Sequence, residues 1–187
     1  MKRGKTDQPK VSIIVVANQD SGIDLVFDLL RSFYPQAGGI SFEFIVVDEQ
    51  NERRAKIYRE QFPWVTLIQT EKLLSGSYLR NIALHHARGD IIVFWEDHVL
   101  VPKNYLNNLV ASLTETYGIV GGPVENGNKE NLPSWVQYFS EYHKWLPTRA
   151  EGEIEDLPGC NFPYRSDLLK RLGPFPEVFS YSLQAFS

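Results

Sequence analysis

Cysteine is nearly absent from this 187-residue sequence, where Cys160 stands alone. A single thiol excludes an internal disulfide and fits a reducing compartment. Long apolar runs are missing as well. None approaches the roughly 20 residues that cross a bilayer, so no transmembrane segment is expected. The basic start, Met1-Lys2-Arg3-Gly4-Lys5, gives way to polar Thr6-Asp7-Gln8-Pro9, where a secretory signal needs its apolar core. The expected location is cytoplasmic, with peripheral association at the inner membrane face as a variant. Positive charge is not in excess either: Lys+Arg 19 against Asp+Glu 23 gives a net charge of −4. That argues against a surface built to grip nucleic acid. No glycine-rich phosphate loop follows the first apolar run, and no Gly-x-Ser-x-Gly elbow occurs. There is no internal repeat and no low-complexity tract.

What remains is the composition of an ordinary globular protein, 43% hydrophobic and 22% charged. Residues 1–10 read as a loose leader and 11–187 as one domain. Val11-Ser12-Ile13-Ile14-Val15-Val16-Ala17 is apolar on both faces, as in a buried parallel strand. It ends in Asn18-Gln19-Asp20-Ser21-Gly22, a loop and helix-capping signal. Helical spacing follows from Ile23 to Tyr34, then a strand over Phe42–Val47 ending in Asp48-Glu49. A polar helix is expected over 52–62 and a short strand over Val65–Ile68. Leu79, Ile82, Ala83, His86 and Ala87 share one helical face, with Gly89 at the C′ position. Ile91–Trp95 is five apolar residues in a row, again a strand buried on both sides. After Pro102, Leu106, Leu109, Val110, Leu113 and Tyr117 align as a helix closed by Gly118. Alternating strands and helices predict an α/β fold with a mostly parallel sheet flanked by helices. The regularity breaks after Gly121-Gly122-Pro123. An amphipathic segment over 134–146, an edge strand at 161–165 and a short helix over Asp167–Leu172 capped by Ser166 complete the reading.

Ligands of parallel sheets bind beyond the carboxyl ends of the strands. Three such ends are acidic here: Asp20, Asp48-Glu49 and Glu96-Asp97-His98. Gathered on one edge, these acids need a cation, a metal or sugar hydroxyls to offset their repulsion. On an extended backbone Glu96 and His98 point the same way and Asp97 the other. Carboxylate plus imidazole suits Mn²⁺ better than Ca²⁺. Cys160 reads as a small packed residue, and His86 as a packed histidine. Trp135, Tyr142 and Trp145 are expected to pack against the sheet.

The order of these motifs resembles family 2 glycosyltransferases of the GT-A fold, over about residues 10–177. Val11–Val15 is similar to that family's first strand, with Val16-Ala17-Asn18 in place of its Pro-Thr-Tyr. Glu43–Glu49 is similar to the strand ending in Asp-Asp. Gly76–Ala83 with Ala87-Arg88-Gly89-Asp90 resembles the helix carrying an Ala-Arg-Asn signature. The family's Asp-x-Asp falls on Glu96-Asp97-His98, giving Glu-x-His, and acid-x-His is the metal motif of polypeptide N-acetylgalactosaminyltransferases. Gly121–Val124 and Leu157–Arg165 resemble later donor-site segments, and Gly173-Pro174-Phe175-Pro176-Glu177 resembles Gly-Gly-Phe-Asp-Glu.

The resemblance implies a metal-dependent, inverting glycosyltransferase using Mn²⁺ or Mg²⁺. Its donor would be a nucleotide-diphosphate sugar, a UDP-sugar foremost, and its acceptor the hydroxyl of a glycan, lipid or other molecule. It implies that Asp48 reads the base, with Ala17 and Asn18 nearby, and that Arg80 touches phosphate or pins Asp48. Glu96, Asp97 and Asn161 would also line the donor site, and His98 with Glu96 and Asp97 would hold the metal. Glu177 is the one nominee for general base. Residues 11–122 would form the nucleotide-binding half and 123–187 part of the acceptor half. The family continues beyond this point into an acidic helix, so the chain is expected to be C-terminally truncated. The alternatives are a sugar-nucleotide-binding domain without turnover and, more distantly, a nucleotidyltransferase.

Overall fold

The computed structural model describes residues 8–17, 23–33, 39–71 and 75–177. Five strands form one sheet: β1 (Val11–Val16), β2 (Phe42–Glu49), β3 (Val65–Thr70), β4 (Ile91–Glu96) and β5 (Asn161–Arg165), in the order β3-β2-β1-β4-β5. The first four pair in parallel, and β5 runs antiparallel along β4. An edge place for β5 follows from Pro163, which has no N–H to donate. The helices are α1 (Ile23–Phe33), α2 (Glu52–Gln61), α3 (Gly76–His86), α4 (Tyr105–Ser112), α5 (Leu132–Tyr142) and α6 (Ser166–Leu172).

Side-chain alternation along the central strands divides the core in two. Ile13, Val15, Phe44, Val46, Val93 and Trp95 pack with α1, α2 and α4 on one side. Ile14, Ile45, Val47, Ile92 and Phe94 pack with α3 and α6 on the other. Both faces of the sheet are therefore covered, which is why these strands read as unbroken apolar runs. The same alternation carries Asp48 to the α2 side, and Glu49 and Glu96 to the α3 side.

Several local expectations are corrected. The C-cap of α3 is Ala87 in extended conformation, and Gly89 serves a different purpose. A Cβ on Gly89 would lie 2.5 Å from the Ser12 backbone nitrogen, so glycine is needed there for close approach of two chains. Ser12 Oγ accepts from Gly89 N–H at 2.8 Å across that contact. The packed face of α3 is Leu79, Ala83, Leu84 and Ala87, while His86 is exposed. Helix α4 stops at Ser112, before Tyr117 and Gly118. Ser166 does not cap α6; Arg165 occupies the N-cap, and Ser166 N–H donates to Asp90 O at 2.8 Å. The loop Asn18–Gly22, with Asp20, lies outside the described residues, as do residues 1–7 and 178–187. No helix among the described residues is long and apolar enough to cross a membrane.

Candidate functional site

The carboxyl end of β4 carries the most concentrated chemistry. Strand geometry stops at Glu96, and Asp97-His98 form a turn in which Val99 N–H donates to Glu96 O. Trp95 Nε1 ties that turn down by donating to Val99 O at 2.7 Å. Because the backbone is no longer extended, Asp97 does not face away from His98. Its Oδ1 lies 3.1 Å from His98 Nδ1, and Glu96 Oε2 lies 3.4 Å from His98 Nε2. Asp97 is buried, whereas the His98 side chain is about half exposed, at 49%. The hydrogen bond to Asp97 raises the His98 pKa above its ordinary value, outweighing burial, and the Glu96 charge adds to the rise. Burial pushes the Glu96 carboxyl upward, against the pull of His98 and Arg80.

At the end of β2 the two acids separate. Asp48 is 2% exposed and both its oxygens are engaged. Oδ1 accepts from Glu49 N–H at 2.8 Å, and Oδ2 accepts from Arg54 Nε at 2.7 Å and Tyr58 Oη at 3.1 Å. Arg54, on α2, is the residue that pins Asp48. Arg80 instead lies over the Phe162 ring, 6.0 Å from its centroid, on the Glu96 side of the sheet. Burial of the Tyr58 hydroxyl, with the Asp48 charge beside it, raises its pKa and keeps it a donor. Glu49 is the half-exposed acid of the pair.

Other expected site residues fall at different distances from this centre. Ala17 is buried and donates its N–H to Val47 O at 2.9 Å, so it contributes backbone at the end of β1. Asn18 lies outside the described residues. Asn161 opens β5 opposite Trp95 and accepts from Tyr105 Oη at 2.6 Å. Glu177 is drawn to α3, where Asn81 Nδ2 donates to its Oε1 at 2.7 Å and also holds Phe175 O at 3.0 Å.

A groove of about 1180 Å³ opens beside His98, lined among others by Tyr105, Asn126, Glu141, Tyr142 and Asn161. Asn126 is 7% exposed, and its Nδ2 is a buried donor without an acceptor among the described residues. The aromatics of the outer wall contact one another: Trp135 stacks on Phe139, and Tyr138 on Tyr142. Tyr138 Oη and Trp145 Nε1 donate to the carbonyls of Val124 and Asp156. Of these rings Tyr138 and Tyr142 line the groove, and none of Trp135, Tyr142 and Trp145 joins the two cores on the sheet, where packing was expected. Cys160 lines the groove floor almost fully buried, its thiol pushed up to about 12 by burial, as suits a small packed residue.

Reasoning from sequence missed Arg54 and Tyr58. Both had a usable signal, being four apart around Ala55 on a helix otherwise too polar to pack.

A family model described as glycosyl transferase family 2 matches residues 12–173. The succinoglycan biosynthesis protein ExoM of Rhizobium meliloti (strain 1021) is 32% identical over 98 residues, 52% of this chain and 31% of that protein. The mannosyltransferase PcManGT from Pyrobaculum calidifontis, solved with GDP-Man and Mn²⁺, has a TM-score of 0.65 at 23% identity. That match covers 92% of this chain and 49% of the other. S. aureus TarS 1–349 has a TM-score of 0.64 at 22% identity, covering 92% and 52%. Glucosyl-3-phosphoglycerate synthase from Mycobacterium tuberculosis, with Mn²⁺, UDP and phosphoglyceric acid, scores 0.51 at 18% identity, covering 86% and 57%. The chain thus spans about half the length of these solved structures and less than a third of the curated relative. At such identities the structural likeness speaks for the fold, a GT-A sheet. The family match runs from within β1 to the end of α6, and the chain belongs to glycosyl transferase family 2.

Proposed function

We propose that this chain binds a nucleotide-diphosphate sugar, a UDP-sugar foremost, and passes the sugar to an acceptor hydroxyl with inversion. The observation that carries this reading is Glu96-Asp97-His98 at the carboxyl end of β4, beside a large groove, in a domain of this family. Strand ends of this kind are where open α/β sheets take ligands. Glu49 is the acid at the end of β2 able to meet the base, while the buried Asp48, held by Arg54 and Tyr58, fixes the strand end beneath it. Arg80, beside Glu96, supplies positive charge toward the phosphates. Residues 11–122 serve as the donor half, and the segment from 123 onward, with the groove wall, serves the acceptor.

The residues also fit a divalent ion, Mn²⁺ or Mg²⁺. Glu96 and His98 offer one carboxylate and one imidazole close to each other, a donor set suited to Mn²⁺. No group of three or more such side chains is arranged to hold an ion among the described residues. The remaining positions are therefore left to the donor's own oxygens and water, as is usual for ions that work on phosphates. A bound ion would neutralise charge on the leaving diphosphate.

The test is thermal unfolding with UDP, GDP and the other nucleoside diphosphates, each with and without Mn²⁺. Ligand at about 100 times its Kd adds about 2.7 kcal/mol of stability. One diphosphate is expected to raise Tm with Mn²⁺ more than either component alone, and His98→Ala is expected to abolish the synergy. No stabilisation by any diphosphate with Mn²⁺ would sink the reading.

A further inference from the structure

Two asparagine side chains in the groove have their amide oxygens taken by the protein and their NH₂ groups left over. Asn126 Oδ1 accepts from Asn128 N–H and from Ser134 Oγ, both at 2.9 Å, and its Nδ2 is sealed from solvent. Asn161 differs in where its spare donor points. The residue is 8% exposed, and Tyr105 Oη donates to its Oδ1 at 2.6 Å. Its Nδ2 has no acceptor among the described residues, yet it is not one of the donors shut away from solvent. Gly122 shows which way it faces. A Cβ added at Gly122 would lie 3.1 Å from Asn161 Nδ2 and, beyond its own chain neighbours, would meet no other heavy atom within 4 Å. Both residues line the groove. The amide NH₂ therefore borders open space that the missing side chain of Gly122 leaves free.

The amide does not turn round cheaply. Burial holds the Tyr105 hydroxyl above the ordinary tyrosine range, so it stays protonated and must donate. With the amide reversed, Nδ2 would donate to Tyr105 Oη and the phenol proton would lose its acceptor. A buried donor left unpaired costs more than a hydrogen bond gains. The Tyr105 ring is itself fixed by edge contacts with Trp95 and Phe33, at centroid distances of 4.7 and 6.3 Å. Asn161 pairs with Trp95 across the sheet, one residue before Glu96. Gly159, two residues before Asn161, lies so close to Glu96 that a Cβ there would be 3.2 Å from Oε1. The spare donor thus stands beside the end of β4, in the groove that His98 also lines.

We propose that Asn161 Nδ2 donates a hydrogen bond to a hydroxyl oxygen of the sugar being transferred, and that Tyr105 is the positioning residue that presents it. This rests on the transferase reading given above. A diphosphate held at the end of β4 carries its sugar into the groove, where Gly122 closes the donor half and Asn161 comes from the segment beyond it. A donor fixed there favours a sugar with an oxygen at that place over one that lacks it.

The experiment is calorimetry with Mn²⁺ on wild type, Asn161→Ala, Tyr105→Phe, their double variant and Gly122→Ala. The ligands are UDP, UDP-glucose, UDP-galactose, UDP-N-acetylglucosamine, GDP and GDP-mannose, and melting curves report folding. Asn161→Ala is expected to weaken the tightest nucleotide sugar by about 2–10-fold while leaving the bare diphosphate unchanged. Tyr105→Phe keeps the ring packing and is expected to weaken the same ligand, with no further loss when added to Asn161→Ala, because it acts through that amide. Gly122→Ala puts a methyl in front of the amide and is expected to weaken the nucleotide sugar alone. Its Cβ meets nothing else, so it carries the test where Asn161→Ala does not fold. Unchanged affinity for the nucleotide sugar in these variants, or equal losses for sugar nucleotide and diphosphate, would overturn the subsite. So would a wild type that binds a diphosphate but none of these nucleotide sugars. Losses that add in the double variant would overturn the role of Tyr105. A wild type that binds no diphosphate would instead overturn the transferase reading, and the subsite with it.

Discussion

Replacing Arg54 by methionine tests whether the brace at the end of β2 is the structural device it looks like. Arg54 and Asp48 are 4% and 2% exposed, and the guanidinium Nε sits 2.7 Å from Oδ2. Methionine keeps much of the aliphatic stem but strands the carboxylate with only Tyr58 Oη and the Glu49 N–H. Removing one partner of a buried ion pair costs about 3–5 kcal/mol, because the remaining charge has no compensation. For a domain of this size each kcal/mol moves Tm by about 2–4 °C, so a fall of roughly 6–20 °C is expected. Removing both charges should cost less. In Asp48→Leu/Arg54→Met no charge is left buried, and apolar replacements of buried ion pairs are often neutral or stabilising. Calorimetric or circular-dichroism melts of the two single variants and the double variant decide it. An Arg54→Met melt within about 2 °C of wild type, or a double variant worse than both singles, would refute the reasoning.

Three further outcomes follow from the geometry. Because the folded chain binds the His98 proton more tightly than the unfolded chain, its stabilisation is full below the ordinary value of 6.5 and fades as pH climbs through the raised one. Glu96, also raised, acts in the same sense from lower pH. The urea midpoint of wild type is therefore expected to fall more steeply above about pH 6.5 than that of His98→Asn, and parallel curves would contradict it. Gly89→Ala drives a Cβ to 2.5 Å from Ser12 N and 2.8 Å from Val11 C, backbone atoms that cannot yield cheaply. A loss of about 1–3 kcal/mol or more in a urea titration is expected, and an unchanged midpoint would show that the two chains separate more easily than this packing implies. Cys160, buried with its thiol raised to about 12, is expected to resist iodoacetamide at neutral pH in the native state and to react fully in urea. Mass spectrometry reads both, and prompt native labelling would place the thiol in open groove.

The sheet was legible because its strands are long apolar runs separated by helices of regular spacing, and β1, β2 and β4 form where those runs predict. Local endings were less so. Gly89 looks like a helix stop in one dimension, yet the contact that requires glycine is with Ser12, distant in sequence and adjacent across the sheet. Glu96 and His98 were placed together correctly, but Asp97 was turned away, since alternation holds only while the backbone is extended and β4 ends one residue earlier. Asp48 illustrates a deeper limit. Its position at a strand end is visible in the sequence, while its burial depends on Arg54 and Tyr58 folding over it from α2. The groove depends on α5 lying across from the end of β4, a long-range placement that no local pattern encodes.

We propose that the end of β4 holds a divalent ion together with a nucleoside diphosphate. Mn²⁺ is titrated into the protein and free Mn²⁺ followed by electron paramagnetic resonance, with and without the stabilising diphosphate. Weak binding of Mn²⁺ alone, tighter binding when the diphosphate is present, and loss of that coupling in His98→Ala are expected. Equal Mn²⁺ affinity in wild type and His98→Ala with the diphosphate present would contradict it.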